Sequence, residues 1–330
     1  MKRILIALAA LSVVASAVQA QSQSSVTIYG KVDLGLTKFA GDSANVNNAV
    51  QMQQNHQSRV GFMGVEDLGG GLSALFQMEN RFTADDGVQN GGMESTGPYL
   101  VGLKGSFGTV KLGRNWNTIG NADSPSVDPF EGDGIGGLNA LTLPRLNNTV
   151  TYYSPAVHGF GIETQYIFSE QPTSHIANQY NDGYTVAGSY DNGPIHLSAG
   201  YGEAANSNNS VNWGAAGTYI IGAAKIIIAY DQYDDKTAAN LPVSTNFIVA
   251  TTYAIGNGLI KAAYNQTKYG GDNTITNTGL HQKFQKVAIG YQHKLSKRTS
   301  LYADIARTKF TDPGISNAVT GVGAGITQSF

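Results

Sequence analysis

Apolar and polar residues alternate along this chain with a period of two, stretch after stretch, with no helical interlude. Over 26–36, Val26, Ile28, Val32, Leu34 and Leu36 fall on one face of an extended strand, and Thr27, Tyr29, Lys31, Asp33 and Gly35 on the other. Successive side chains of a strand point to opposite sides, so such a strand separates an apolar medium from a polar one. The pattern recurs over 72–82, where Ala74, Phe76, Met78 and Phe82 oppose Gln77, Glu79 and Arg81, and again over 160–168, 195–201, 260–264, 287–291 and 301–305. Segments 225–231 and 247–253 are ambiguous by themselves and take their assignment from the repetition.

Connections alternate between two lengths. Short turn signals fall at 67–71, 105–108, 155–159, 191–194, 221–222, 256–258 and 295–298, all but the last carrying glycine. Longer polar stretches lie between them, at 40–56, 84–97, 116–146, 170–182, 203–209, 233–244, 269–282 and 311–316. Seven turns and eight loops make fifteen connections and hence sixteen strands, with both termini on the short-turn side. An even strand number, short turns at one end and long loops at the other are the marks of an outer-membrane barrel. The expected fold class is therefore all-β, a 16-stranded antiparallel transmembrane β-barrel. In lipid no strand edge can stay unpaired, so the first strand must meet the last. Sixteen strands enclose a water channel, whereas eight are filled by their own side chains.

The first twenty residues stand apart. Lys2 and Arg3 precede an apolar run, 4–14, broken only by Ser12, and Val18, Gln19 and Ala20 form a small-residue cleavage site. This reads as a signal peptide removed after Ala20, since the run is shorter than the roughly 20 residues that span a bilayer. The division expected is a leader over 1–20 and a barrel over 21–330.

Composition narrows the class. Charged residues make up 13% of the chain, against about 25% in soluble proteins, while Gly reaches 41 and Tyr 17. That suits a wall with lipid on one side and water on the other. The absence of cysteine excludes thiolate metal centres and cysteine nucleophiles. Net charge is −2, so no basic excess suggests nucleic acid as a partner.

Several stretches resemble Gram-negative general diffusion porins of the betaproteobacterial type: 25–30 (SVTIYG), 58–71 (SRVGFMGVEDLGGG), 108–114 (GTVKLGR) and 147–155 (NNTVTYYSP). With the terminal Phe330 they span the mature chain in order. The resemblance implies a homotrimeric barrel in the outer membrane, passing ions and small hydrophilic solutes. It also implies a third external loop folded inward to narrow the pore, here 116–146, whose 128–132 (DPFEG) is loosely similar to the Pro-Glu-Phe-Gly element of such loops. Phe330 closes an alternating last strand, where a terminal aromatic serves such barrels as the signal for the barrel assembly machinery.

Alternation and resemblance together nominate a set of charges. The loop carries Asp123, Asp128, Glu131 and Asp133, with Arg145 at its exit. Arg59, Arg81, Lys104 and Lys111 fall in the polar, inward register of their strands, while Arg114 follows Val110 and Leu112 in the outward register unless its strand bends into the loop. Acids on a folded-in loop facing bases on the wall set a transverse field across a narrow water path, and charge rings of this kind set ion preference. The bland alternative is a scatter of solvated loop acids and rim bases.

Catalysis finds little footing. The six histidines show no metal-ligand spacing, and neither a Gly-x-Ser-x-Gly elbow nor a phosphate-cradling loop occurs. No cofactor or metal is expected. A barrel-anchored enzyme or adhesin stays open as a distant alternative. So does a sugar-selective channel, although most strand tyrosines, such as Tyr166, Tyr201 and Tyr291, fall in the outward register and suit an interfacial girdle.

Overall fold

A computed structural model describes residues 24–41, 47–88, 96–119, 127–131, 134–139, 145–169, 181–205, 209–236, 243–269, 283–312 and 315–330; the expected leader, Asp123 and Asp133 lie outside them. The alternating stretches are strands: β1 (Ser25–Gly41), β2 (Val50–Gln53), β3 (Ser58–Gly69), β4 (Leu72–Phe82), β5 (Thr96–Gly105) and β6 (Gly108–Trp116). The series continues with β7 (Arg145–Tyr153), β8 (Phe160–Ile167), β9 (Gly183–Asn192), β10 (Ile195–Glu203), β11 (Val211–Ile221) and β12 (Ala224–Asp234). It ends with β13 (Ser244–Ile255), β14 (Gly258–Lys268), β15 (Lys283–Lys294), β16 (Thr299–Asp312) and β17 (Ile315–Ser329).

Each strand pairs antiparallel with its neighbours, and β1 pairs with β17 from Lys31↔Ser329 to Gly41↔Val319, which closes the sheet into a barrel. Gly30 and Phe330 seal the seam by exchanging backbone hydrogen bonds of 3.2 and 3.1 Å. The count of sixteen holds, because β2 and β3 are two parts of one wall strand. Both pair with β1, at Gly35↔Gln53 to Lys38↔Val50 and at Ser25↔Val65 to Lys31↔Arg59, and residues 54–57 bulge between them. Two connections are shorter than expected. The stretch 40–56 contains β2, and that at 311–316 shrinks to the two residues separating β16 from β17. At 50–53 the polar side chains, Gln51 and Gln53, reflect an inward wall face rather than a loop.

Burial is inverted relative to a soluble fold. Val26 is 68% exposed, Ile28 59% and Phe160 61%, and they belong to an outward apolar belt, while Asp33, Thr151, Asn265 and Thr267 are buried inside. The short turns use left-handed glycines such as Gly222 (φ 58°) and Gly256 (φ 54°), a backbone that residues with a Cβ adopt at a cost.

One apolar cluster lies within the barrel. Val127, Phe130, Ile135 and Leu138, from the connection between β6 and β7, pack on Ala216, Ile227, Ala229, Ile248, Ala250, Ala263, Ala288 and Ala306 of the wall. The loop therefore folds inward and docks on β11–β16. Strands β12 and β13 are apolar on both faces because one meets lipid and the other meets this loop, which explains their ambiguous pattern.

Candidate functional site

Loop and wall are held together by apolar packing and by directed hydrogen bonds. Phe130 is buried, with Lys261 Nζ 4.6 Å from its ring centroid, and Gly290 leaves the space it occupies: a Cβ there would lie 2.8 Å from the ring. Asn139 N–H donates to Asn265 Oδ1 at 2.8 Å and its side-chain amide to Tyr269 at 2.9 Å, while Asn246 Nδ2 donates to Asn139 O at 3.0 Å. Lys286 donates to the carbonyl of Gly137. Near the loop's start, Thr118 Oγ1 donates to Thr185 Oγ1 at 2.6 Å.

The bulge at 54–57 is the second clamp. Asp33, fully buried, accepts the N–H groups of Asn55 and His56 at 2.7 and 3.0 Å and the Tyr302 hydroxyl at 2.9 Å, and Thr327 donates to its other oxygen. A carboxylate with several donors holds the bulge inward, because a buried charge must be paired. Asn55 then reaches both ways: its amide donates to Asp304 Oδ2 at 2.6 Å and its oxygen accepts Ile135 N–H at 2.7 Å.

Charges meet where the docked loop reverses. Glu131 has a left-handed backbone (φ 62°), a conformation costly for a residue with a Cβ, and it pairs with Lys31 of β1. Its carboxyl is pushed up by burial but pulled further down by Lys31 and by His56, so it titrates below the ordinary glutamate value. Arg59 adds to that attraction. Arg59 and Arg81 are directly opposed across β3 and β4. Glu79 lies beside both, at 2.9 Å from Arg81 and 3.9 Å from Arg59, and accepts the Tyr29 hydroxyl at 3.1 Å. Trp116 is flanked by the guanidinium groups of Arg81 and Arg145, 5.7 and 4.7 Å from its ring.

The remaining nominated residues fall elsewhere. Asp128 turns both oxygens to its own loop, accepting Phe130 N–H at 2.8 Å and Leu138 N–H at 3.0 Å. Lys104 is next to the short turn that joins β5 to β6. Lys111 lies over the Tyr153 ring at 4.6 Å. Arg114 is opposite Tyr99 in the outward register, but the pairing of β6 with β7 slips beyond Gly113 and its Nη1 donates to Asn147 Oδ1 at 2.5 Å. Sequence reasoning missed Lys31, Glu79, Asn55 and the buried set of Asp33, Lys261 and Asp304. Lys31 and Glu79 were visible as polar-register charges, although nothing in the alternation gives their height in the barrel.

The sequence profile of Gram-negative porins matches residues 7–313. Over 352 residues the chain is 32% identical to outer membrane porin protein 32 of Delftia acidovorans, with 100% of this chain and 96% of the relative covered. An outer membrane porin of Bordetella pertussis is 30% identical over 399 residues, with both chains covered in full. The barrel superposes on an anion-selective porin from Comamonas acidovorans with a TM-score of 0.76 and 26% identity, covering 93% of this chain and 100% of the other.

Proposed function

Because the chain belongs to the Gram-negative porin family, we propose that it is a general diffusion channel, passing ions and small hydrophilic solutes with weak ion selectivity. As a porin it is a multi-pass protein of the outer membrane. The observation that carries the proposal is Glu131, on an inward loop, paired with Lys31 and attracted by Arg59. Opposed charges on an inward loop and on the polar wall that faces it orient dipolar solutes and favour no single substrate. Conductance in a planar bilayer should rise linearly with salt and stay unsaturated with added sugars. A current blocked at low sugar concentration would favour a substrate-selective channel instead.

A second reading, anion preference, has its own support. Among the described charges that pair with Glu131 or Glu79 or stack on Trp116, the cations Lys31, Arg59, Arg81 and Arg145 outnumber the acids Glu79 and Glu131, and the Comamonas relative is named for anion selectivity. A reversal potential measured across a salt gradient decides between them.

The proposal extends to assembly. Residues 1–20 act as a removable export leader, Phe330 as the signal for the barrel assembly machinery, and three copies associate with the first and last strands near the interface. Native mass spectrometry in detergent should give a species of three chain masses, and a monodisperse monomer would exclude the trimer.

A further inference from the structure

The inward loop docks on one side of the barrel, and the wall farthest from it is β6–β8. Counting β2 and β3 as one strand, β7 and β15 are eight places apart in either direction round the ring. Along this wall the inward side chains divide into two groups. Toward the long connections they bond to one another. Gln165 Nε2 donates to Thr151 Oγ1 at 2.9 Å and to Trp116 O at 3.1 Å, Asn115 Nδ2 to Thr151 Oγ1 at 3.2 Å, and Thr185 Oγ1 to Gln165 Oε1 at 3.4 Å. Amides and hydroxyls whose partners are fixed in the wall offer little to a passing solute.

Nearer the short turns the set is different. Tyr153 of β7 is paired with Glu163 of β8 on one side and with Thr109 of β6 on the other, and Lys111 is two residues further along β6. The Lys111 ammonium lies 4.6 Å from the Tyr153 ring centroid and is attracted by Glu163; among the described residues it donates no hydrogen bond. The Tyr153 hydroxyl accepts Asn115 Nδ2 at 2.9 Å and, among the described residues, has no acceptor for its own proton. All three side chains are half-buried, with wall on one side and lumen on the other. An ammonium has three donors, a phenol has one, and a carboxylate only accepts. Strand register thus holds positive donors and a negative acceptor on either side of one aromatic ring.

We infer that Lys111, Tyr153 and Glu163 form a weak binding site for small zwitterions, solutes that carry a carboxylate and an ammonium on one short backbone. The carboxylate meets the Lys111 ammonium and the Tyr153 hydroxyl proton, and the ammonium meets Glu163. Charge complementarity at both ends selects this class. A simple anion suits Lys111 but is repelled by Glu163, a simple cation meets the reverse, and a sugar brings no charge to either. Solute passes such a site when binding is favourable enough to enter and weak enough to leave. The inference rests on the reading of the chain as a diffusion channel and adds a favoured solute class, at a place separate from Glu131 and Lys31.

The test uses the full barrel in liposomes, with swelling rates measured in glycine and in its uncharged isomer glycolamide, each corrected for protein-free liposomes. Wild type should swell about threefold faster in glycine, the scale of partly exposed ion pairs. Lys111→Gln and Glu163→Gln should each bring the two rates together, with heat-modifiable mobility showing that the variants are folded. At a site for anions, Glu163→Gln would leave glycine as fast or faster, and that result overturns the inference. Should the charge variants fail to fold, Tyr153→Phe keeps the ring under Lys111 and removes the hydroxyl donor, which should lower the ratio about twofold, the scale of one hydrogen bond. An unchanged ratio in that variant, or equal rates in wild type, overturns the inference while leaving the channel reading intact. No swelling in either solute would overturn the channel reading and the site with it.

Discussion

The side-chain oxygen of Asn55 accepts the backbone N–H of Ile135 at 2.7 Å, tying an inward bulge of the wall to a loop 80 residues further along the chain. The same side chain donates to Asp304 of β16, so one amide couples the loop, the bulge and a wall strand separated from β1 only by β17.

Replacing it should loosen the loop without opening the barrel. Asn55→Leu leaves the Ile135 N–H and the Asp304 carboxylate without this partner, and a buried polar group stranded in this way costs about 1–3 kcal/mol. Single-channel recordings should show added noise and brief closures, while the folded barrel keeps its heat-modifiable shift in gels. Quiet wild-type traces from the variant would mean that the apolar docking alone fixes the loop.

Apolar docking has its own measure. Phe130 is buried against Lys261 and the space left by Gly290, and truncating a buried Phe costs about 3–5 kcal/mol. Phe130→Ala should make the loop a site of proteolysis in the folded barrel, at protease levels that spare the wild type. Equal resistance would show that hydrogen bonds carry the docking.

Charge reversal potentials test the opening. Glu131→Gln should move selectivity toward anions, and Arg59→Gln with Arg81→Gln toward cations. Both shifts should shrink in 1 M salt, where the screening length is about 3 Å. Unchanged reversal potentials in both variants at low salt would remove these residues from the ion path.

Acidity gives a fourth reading. A carboxyl depressed in the folded state stays ionised through the ordinary glutamate range, near 4.3, and its pairing energy fades only as pH falls through the lower folded value. Lys31 and His56 depress Glu131 in this way, against the upward push of burial. The component of selectivity due to Glu131 should therefore persist at pH 4.3 and vanish below it. Comparing wild type with Glu131→Gln isolates that component, and a loss complete by pH 5 would contradict the depressed value.

Much of the wall was legible in the sequence and rather less of the opening. The alternation over 72–82 coincides with β4, because a strand between lipid and water must alternate. Strands β12 and β13 blurred where an apolar loop lies against their inner face. The segment 50–53 passed for loop because its glutamines face inward beside a bulge that no local pattern encodes. Asp128 shows the other limit: composition marks it as an acid in the right loop, yet both its oxygens accept amides of that loop. Register reveals which face a charge is on, but its height and partners depend on contacts between residues far apart in the chain.

Gly30 and Phe330 are neighbours in the wall, which gives the barrel a manufacturing order. Until Phe330 has been made and delivered, the sheet has two bare edges, and no partial product can pass for a finished one. Once sealed, the ring has no privileged starting point. A chain joined from 330 to 25 by a short linker and cut in the tight turn between β11 and β12 would keep every ladder, and should still close on refolding in detergent, where no machinery has to read a terminal Phe330.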